Sequence, residues 1–139
     1  MDDRSLGDAV LAGGYESSCQ RASIRFERHR SAAVVHVSGE IDSAVTDFLA
    51  GNLQLALGLA SPLVVDLSAV HSLTVSGVRI LSDFATKAQT AGVQWALVIR
   101  EPARKLLRTA DPYRSLPLST TLADALQKVG ERPRLRIVR

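Results

Sequence analysis

The chain has 139 residues, 46% of them hydrophobic and 22% charged, with a formal net charge of +3, which is the size and balance of one soluble globular domain with a sizeable core. No run of roughly 18 apolar residues lacks a charge, which excludes a transmembrane helix, and a small basic excess with only 4% aromatics argues against a nucleic-acid domain. The single cysteine, Cys19, can make neither an internal disulfide nor a zinc site.

Residues 1–20 mix Gly, Ser, Asp and Ala without steady periodicity and read as a flexible leader. The leader begins acidic, whereas a secretory signal begins basic and runs into an apolar stretch, so a cytoplasmic protein is expected. "SIRFERH" (23–29) alternates around Ile24 and Phe26 as a half-buried strand does. "AAVVHVSG" (32–39) is β-branched, ends at Gly39 and completes a hairpin. From 42 to 61, Val45, Phe48, Leu49, Leu53, Ala56 and Leu59 recur at helical spacing, with Asp42 or Ser43 as cap and Gly58 and Pro62 at the end. "LVVDLSAV" (63–70) is the nearly continuous apolar run of a strand buried on both faces.

The period then changes. Val78, Ile80, Leu81, Phe84, Ala85 and Ala88 fit a helix closed by Gly92. "VQWALVI" (93–99) is a buried strand, "EPARKLLRTAD" (101–111) a short helix with proline in its first turn, and "YRSLPLS" (113–119) a weak strand. "STTLADALQKV" (119–129) is a helix capped by Ser119 or Thr120. Residues 131–139 form a basic tail in which Arg132, Arg134, Arg136 and Arg139 outnumber Glu131. The order ββαβαβαβα predicts one α/β domain over residues 21–130, with a mixed, mostly parallel sheet of about five strands and about four helices.

Catalytic and cofactor motifs are missing. There is no GxxxxGK[ST] loop, no GxGxxG after a strand, and no metal spacing among His29, His36 and His71. No cofactor or metal is expected, and the protein is read as a non-enzyme. Ser76-Gly77 lacks the glycine two positions before the serine that a nucleophile elbow needs. His36 sits within a strand pattern, facing solvent or a neighbouring hydrogen bond. The informative stretch is "HSLTVSGVRIL" (71–81). Asp66 ends the buried strand, a loop follows, and a helix begins near Thr74, a good N-cap residue. Ser76 then lies in the first turn, where free N–H groups and the helix dipole favour negative charge. A phosphate there adds roughly −1.5 to −2 charges at a surface partners can reach. The plainer alternative is capping and close packing, with Gly77 giving backbone room.

"SGEID" (38–42), "LVVDLSAV" (63–70) and "TVSG" (74–77), in this order and spacing, resemble the STAS domain family, and in particular its stand-alone bacterial members, the anti-sigma factor antagonists. The likeness spans about residues 22–130. It implies a regulatory protein that binds an anti-sigma factor with serine kinase activity and so controls sigma-factor-dependent transcription. The kinase would phosphorylate the residue before the glycine, here Ser76, and a serine phosphatase would reset it. No direct nucleic-acid or membrane partner is implied. Asp42 falls at the family's acidic position, and the partner surface would comprise Asp42, Thr74, Ser76, Gly77, Val78, Arg79 and Ser82. Two positions depart from the pattern: Thr74 replaces the usual aspartate and Val75 the first hydroxyl residue. Thr74 therefore stands as a second candidate for modification. The alternative is a STAS module that senses a small ligand or nucleotide without a phosphorylation switch.

Overall fold

The alternation of period-2 and period-3.6 segments becomes an α/β sandwich in the computed structural model, which describes residues 15–30, 32–59, 62–110 and 116–130. The strands are β1 (Glu16–Cys19), β2 (Ala22–Arg28), β3 (Ala33–Ile41), β4 (Leu63–Leu73), β5 (Trp95–Val98) and β6 (Leu118–Ser119). The helices are α1 (Thr46–Leu57), entered through a 3-10 turn at Ser43–Val45, α2 (Val75–Ala91), α3 (Ala103–Ala110) and α4 (Leu122–Gly130). The six strands lie side by side in chain order. β1, β2 and β3 pair antiparallel, while β3–β4, β4–β5 and β5–β6 are parallel and each is joined through a helix.

Alternation along the strands decides the two faces. Ile24 and Phe26 of β2, Val35 and Val37 of β3, and Val65 and Leu67 of β4 meet Leu49 and Leu53 of α1, Leu81 and Phe84 of α2, and Leu107 of α3. On the other face, Val34, Val64, Ala96 and Val98 meet, among the described residues, Ala125 and Val129 of α4. Small residues there let the single helix approach closely.

The architecture matches the sequence expectation, with corrections at particular elements. Glu16–Cys19, read as leader, is an edge strand: its backbone pairs with β2 while Ser17 and Cys19 turn inward. Polar, small residues carry no apolar alternation, so nothing local announces it. β4 continues to Leu73 because β3 runs beside it that far. α4 is capped by Thr121, whose Oγ1 accepts from Asp124 N at 3.1 Å, and not by Ser119 or Thr120. Ser119 belongs to β6. Residues 1–14 and the basic tail 131–139 lie outside the described residues.

Candidate functional site

β3 and β4 stay together further than their neighbours accompany them. β2 leaves β3 at Ala22↔Gly39, and β5 leaves β4 at Asp66↔Val98, but β3–β4 pairing continues to Ile41↔Leu73. The result is a two-stranded parallel ribbon whose tip carries the entries to α1 and α2. That tip brings Asp42 and Thr74–Gly77 together across 32 residues of sequence.

The tip is fixed by backbone contacts. Thr74 N donates to Ile41 O at 3.0 Å, and Thr74 Oγ1 donates to the same carbonyl at 3.3 Å. Thr74 is the N-cap residue of α2 by backbone conformation, φ −94° and ψ 172°, and its carbonyl accepts Val78 N. Its hydroxyl, however, makes no capping bond. The expected side-chain cap is therefore replaced by a tertiary bond to β3. With no acidic residue in the first turn either, the leading N–H groups of α2 have no side-chain acceptor among the described residues. Gly77 is needed for contact: a Cβ there would lie 2.6 Å from Leu73 Cδ1 and 2.9 Å from Ile41 Cγ2. Asp42 accepts from Ala44 N at 3.0 Å and so caps the 3-10 turn.

Around this tip Ser76 is partly exposed, Arg79 is exposed and Ser82 is partly exposed. Val78 is a correction to the expected surface. It is 2% exposed and belongs to the core, since it falls on the same helix stripe as Leu81. Val75, by contrast, is 58% exposed and is the exposed large hydrophobic residue among the described ones.

At the base of the ribbon sits a polar cluster the sequence did not announce. His36 Nδ1 lies 2.8 Å from Asp66 Oδ2, and Nε2 lies 2.5 Å from Glu27 Oε1. The hydrogen bond with Asp66, joined by the one with Glu27, raises the His36 proton affinity above the usual imidazole value against the opposing effect of burial. Burial pushes the Asp66 carboxyl up, but hydrogen bonds from His36 and Ser68 outweigh it and hold the group low. Glu27 is held low chiefly by its bond with His36. The only local hint was a histidine within a strand pattern; its partners lie 9 and 30 residues away.

Among the described residues no group of three or more His, Cys, Asp or Glu side chains is arranged to hold a metal ion, and no helix is long and apolar enough to cross a membrane. A groove of about 450 Å³ lined by Thr86, Gln89, Val93, Trp95 and Pro117 lies at the far end of α2. Its α2 residues Thr86 and Gln89 stand 12 and 15 residues beyond Thr74, about 18–23 Å at 1.5 Å per residue.

Comparison with known proteins adds to this geometry. A family model described as the STAS domain matches residues 23–125. The crystal structure of an anti-sigma factor antagonist from Mycobacterium paratuberculosis is 33% identical, with a TM-score of 0.73 over 81% of this chain and 97% of that one. The unphosphorylated anti-sigma factor antagonist SpoIIAA is 15% identical, with a TM-score of 0.61 over 76% of this chain and 95% of that one, a likeness of fold. Osmosensory protein A of Mycobacterium tuberculosis is 37% identical over 78 residues, which is 55% of this chain and 49% of that protein. The chain thus spans about half the length of that curated relative.

Proposed function

Since the chain belongs to the STAS domain family, we propose that it is a regulatory binding protein, an antagonist of an anti-sigma factor, acting in the cytoplasm through the tip formed by Asp42 and Thr74–Gly77. The partner in this reading has serine kinase activity and modifies Ser76, a serine phosphatase removes the phosphate, and sigma-factor-dependent transcription follows the state of Ser76. The description of the Mycobacterium paratuberculosis protein as an anti-sigma factor antagonist supports the role. Asp42, Arg79, Ser82 and Val75 frame the contact surface.

One observation carries the switch: Ser76 is partly exposed in the first turn of a helix whose N-terminus has neither a side-chain cap nor an acidic residue. A phosphate there adds roughly −1.5 to −2 charges, and the dipole favours it by about 0.3–1 kcal/mol, so the fold accepts it. A partner pressed against the same surface meets a new desolvated charge, which costs several kcal/mol at an interface. Ser76 is preferred to Thr74 because the Thr74 hydroxyl is already bonded to Ile41 O.

The test is affinity capture from lysate of the source organism with wild type, Ser76→Ala and Ser76→Glu as baits, each retained protein identified by mass spectrometry. The expected result is an anti-sigma factor with a kinase ATP site held by wild type and Ser76→Ala, and held about 100-fold more weakly by Ser76→Glu, the equivalent of roughly 2.7 kcal/mol. Equal retention on all three baits removes the switch. Retention of no such protein on any bait removes the antagonist reading itself.

A further inference from the structure

The base of the ribbon contains an arrangement that the binding role does not use. β2, β3 and β4 each contribute one ionisable side chain to the same sheet face, in the order Glu27, His36, Asp66. A neutral imidazole donates through one ring nitrogen and presents a lone pair at the other. Here each ring nitrogen faces a carboxylate oxygen, at 2.8 Å and 2.5 Å. Only an imidazolium donates to both carboxylates while they remain ionised.

The location matters as much as the chemistry. From His36↔Asp66 to the next rung, Ser38↔Ala69, β3 advances two residues and β4 three, so β4 carries a bulge directly above His36. Asp66 spans it: Oδ2 faces His36, and Oδ1 accepts from Ser68 N within the bulge at 3.0 Å. This is the first of two register shifts in the ribbon; at the second, from Gly39↔Val70 to Glu40↔Ser72, β3 advances one residue and β4 two, and the pairing then runs to Ile41↔Leu73.

We propose that His36 carries a proton on both ring nitrogens and is a positioning residue, a proton-dependent clamp that fixes the bulge in β4 and, through it, the Asp42 and Thr74–Gly77 tip. Alkaline loss of that proton loosens the ribbon. The other charges near the cluster come from β2 and its end, from β1 and from α4. Arg25 Nη1 is 3.7 Å from Glu27 Oε1 and His29 Nε2 is 3.5 Å from Glu27 Oε2, and Glu16 of β1 stands opposite Arg25 in the register. On α4, which packs against Val34 and Val64 beside the cluster, Lys128 and Asp124 pair with each other. Two carboxylates therefore hold one imidazolium from opposite sides. The folded protein binds this proton more tightly than the unfolded chain, so the stabilisation is complete below the ordinary imidazole range, near 6.5. It is lost as pH rises through the higher folded value. The proposal stands whether or not an anti-sigma factor is the partner.

The test uses the full chain labelled with nitrogen-15, from pH 5 to pH 10. Long-range proton–nitrogen spectra report the two ring nitrogens of His36, and amide exchange reports Ser68 to Thr74. Both nitrogens should be protonated at neutral pH. Exchange of those amides, corrected for its intrinsic pH dependence, should rise about 10-fold through the His36 midpoint, as expected when a local opening becomes easier. Glu27→Gln, at the exposed end of the cluster, should keep the fold and lower the midpoint. A ring nitrogen unprotonated at neutral pH overturns the proposal. So does exchange that ignores the His36 titration, or a midpoint unmoved by Glu27→Gln.

Discussion

The entries to α1 and α2 stand side by side at the tip of one ribbon and are built differently. Each has a polar residue where its turn begins and a close-packed glycine nearby in sequence, Gly39 within β3 and Gly77 within α2. At the first, Asp42 turns its carboxylate onto Ala44 N, within its own turn. At the second, the Thr74 hydroxyl turns away from its helix to Ile41 O. The first glycine, Gly39, has φ +95° and would place a Cβ 1.9 Å from the Arg21 carbonyl oxygen. The second, Gly77, would press on side-chain methyl groups of Leu73 and Ile41. One entry is closed by local polar satisfaction and rigid backbone. The other is anchored by tertiary contacts and leaves its leading N–H groups without side-chain acceptors. The difference shows how a helix can be held firmly while its electropositive end stays available to a partner or a phosphate.

Substitutions can break this contrast in graded steps, each read by urea denaturation. Gly39→Ala should have the largest effect, about 3–5 kcal/mol, because strain at positive φ adds to a clash with backbone that cannot move aside. Gly77→Ala should cost about 1–2 kcal/mol: overpacking against flexible side chains is partly offset by better helix propensity. A Gly77→Ala loss equal to that of Gly39→Ala would mean that the α2 entry is as rigid as the α1 entry. Asp42→Ala should cost about 1 kcal/mol as a lost cap. Thr74→Ala should cost about 0.5–1 kcal/mol as a lost hydrogen bond to Ile41 O, without a change in capping. If Thr74→Ala costs clearly more than Asp42→Ala, the hydroxyl is capping after all and the contrast disappears. The smallest effect is a gain. Ser76→Glu should raise stability by about 0.3–1 kcal/mol at low ionic strength and lose that gain in high salt. Unchanged stability at both ionic strengths would show that the N-terminus of α2 is not electrostatically open.

The two faces of the sheet explain why the fold was largely legible. Ile24 and Phe26 alternate, Leu63–Leu67 is apolar except for Asp66, and Leu81, Phe84 and Ala88 recur along α2. Each pattern is local and is written in the side chains themselves. β1 was missed because Glu16–Cys19 joins the sheet through its backbone, which every sequence shares. Val78 was misplaced because the helix phase near an N-terminus is hard to assign. Its burial follows from the stripe it shares with Leu81, three residues further along α2.

Within the site, the sequence by itself determined the position of Ser76 just after a buried strand, before Gly77 and at the start of an amphipathic helix, because period and composition change there. It also determined the topology that brings strand ends and helix starts to one edge. The tertiary structure decided where the polar side chains point. Thr74 chooses Ile41 O, 33 residues away, over the N–H groups of its own helix, and His36 finds Asp66 and Glu27 on neighbouring strands. The reason is physical: apolar burial is non-directional and leaves a periodic trace in the chain. A hydrogen bond depends on the distance and angle to one particular atom, which exist only once distant segments have been brought together.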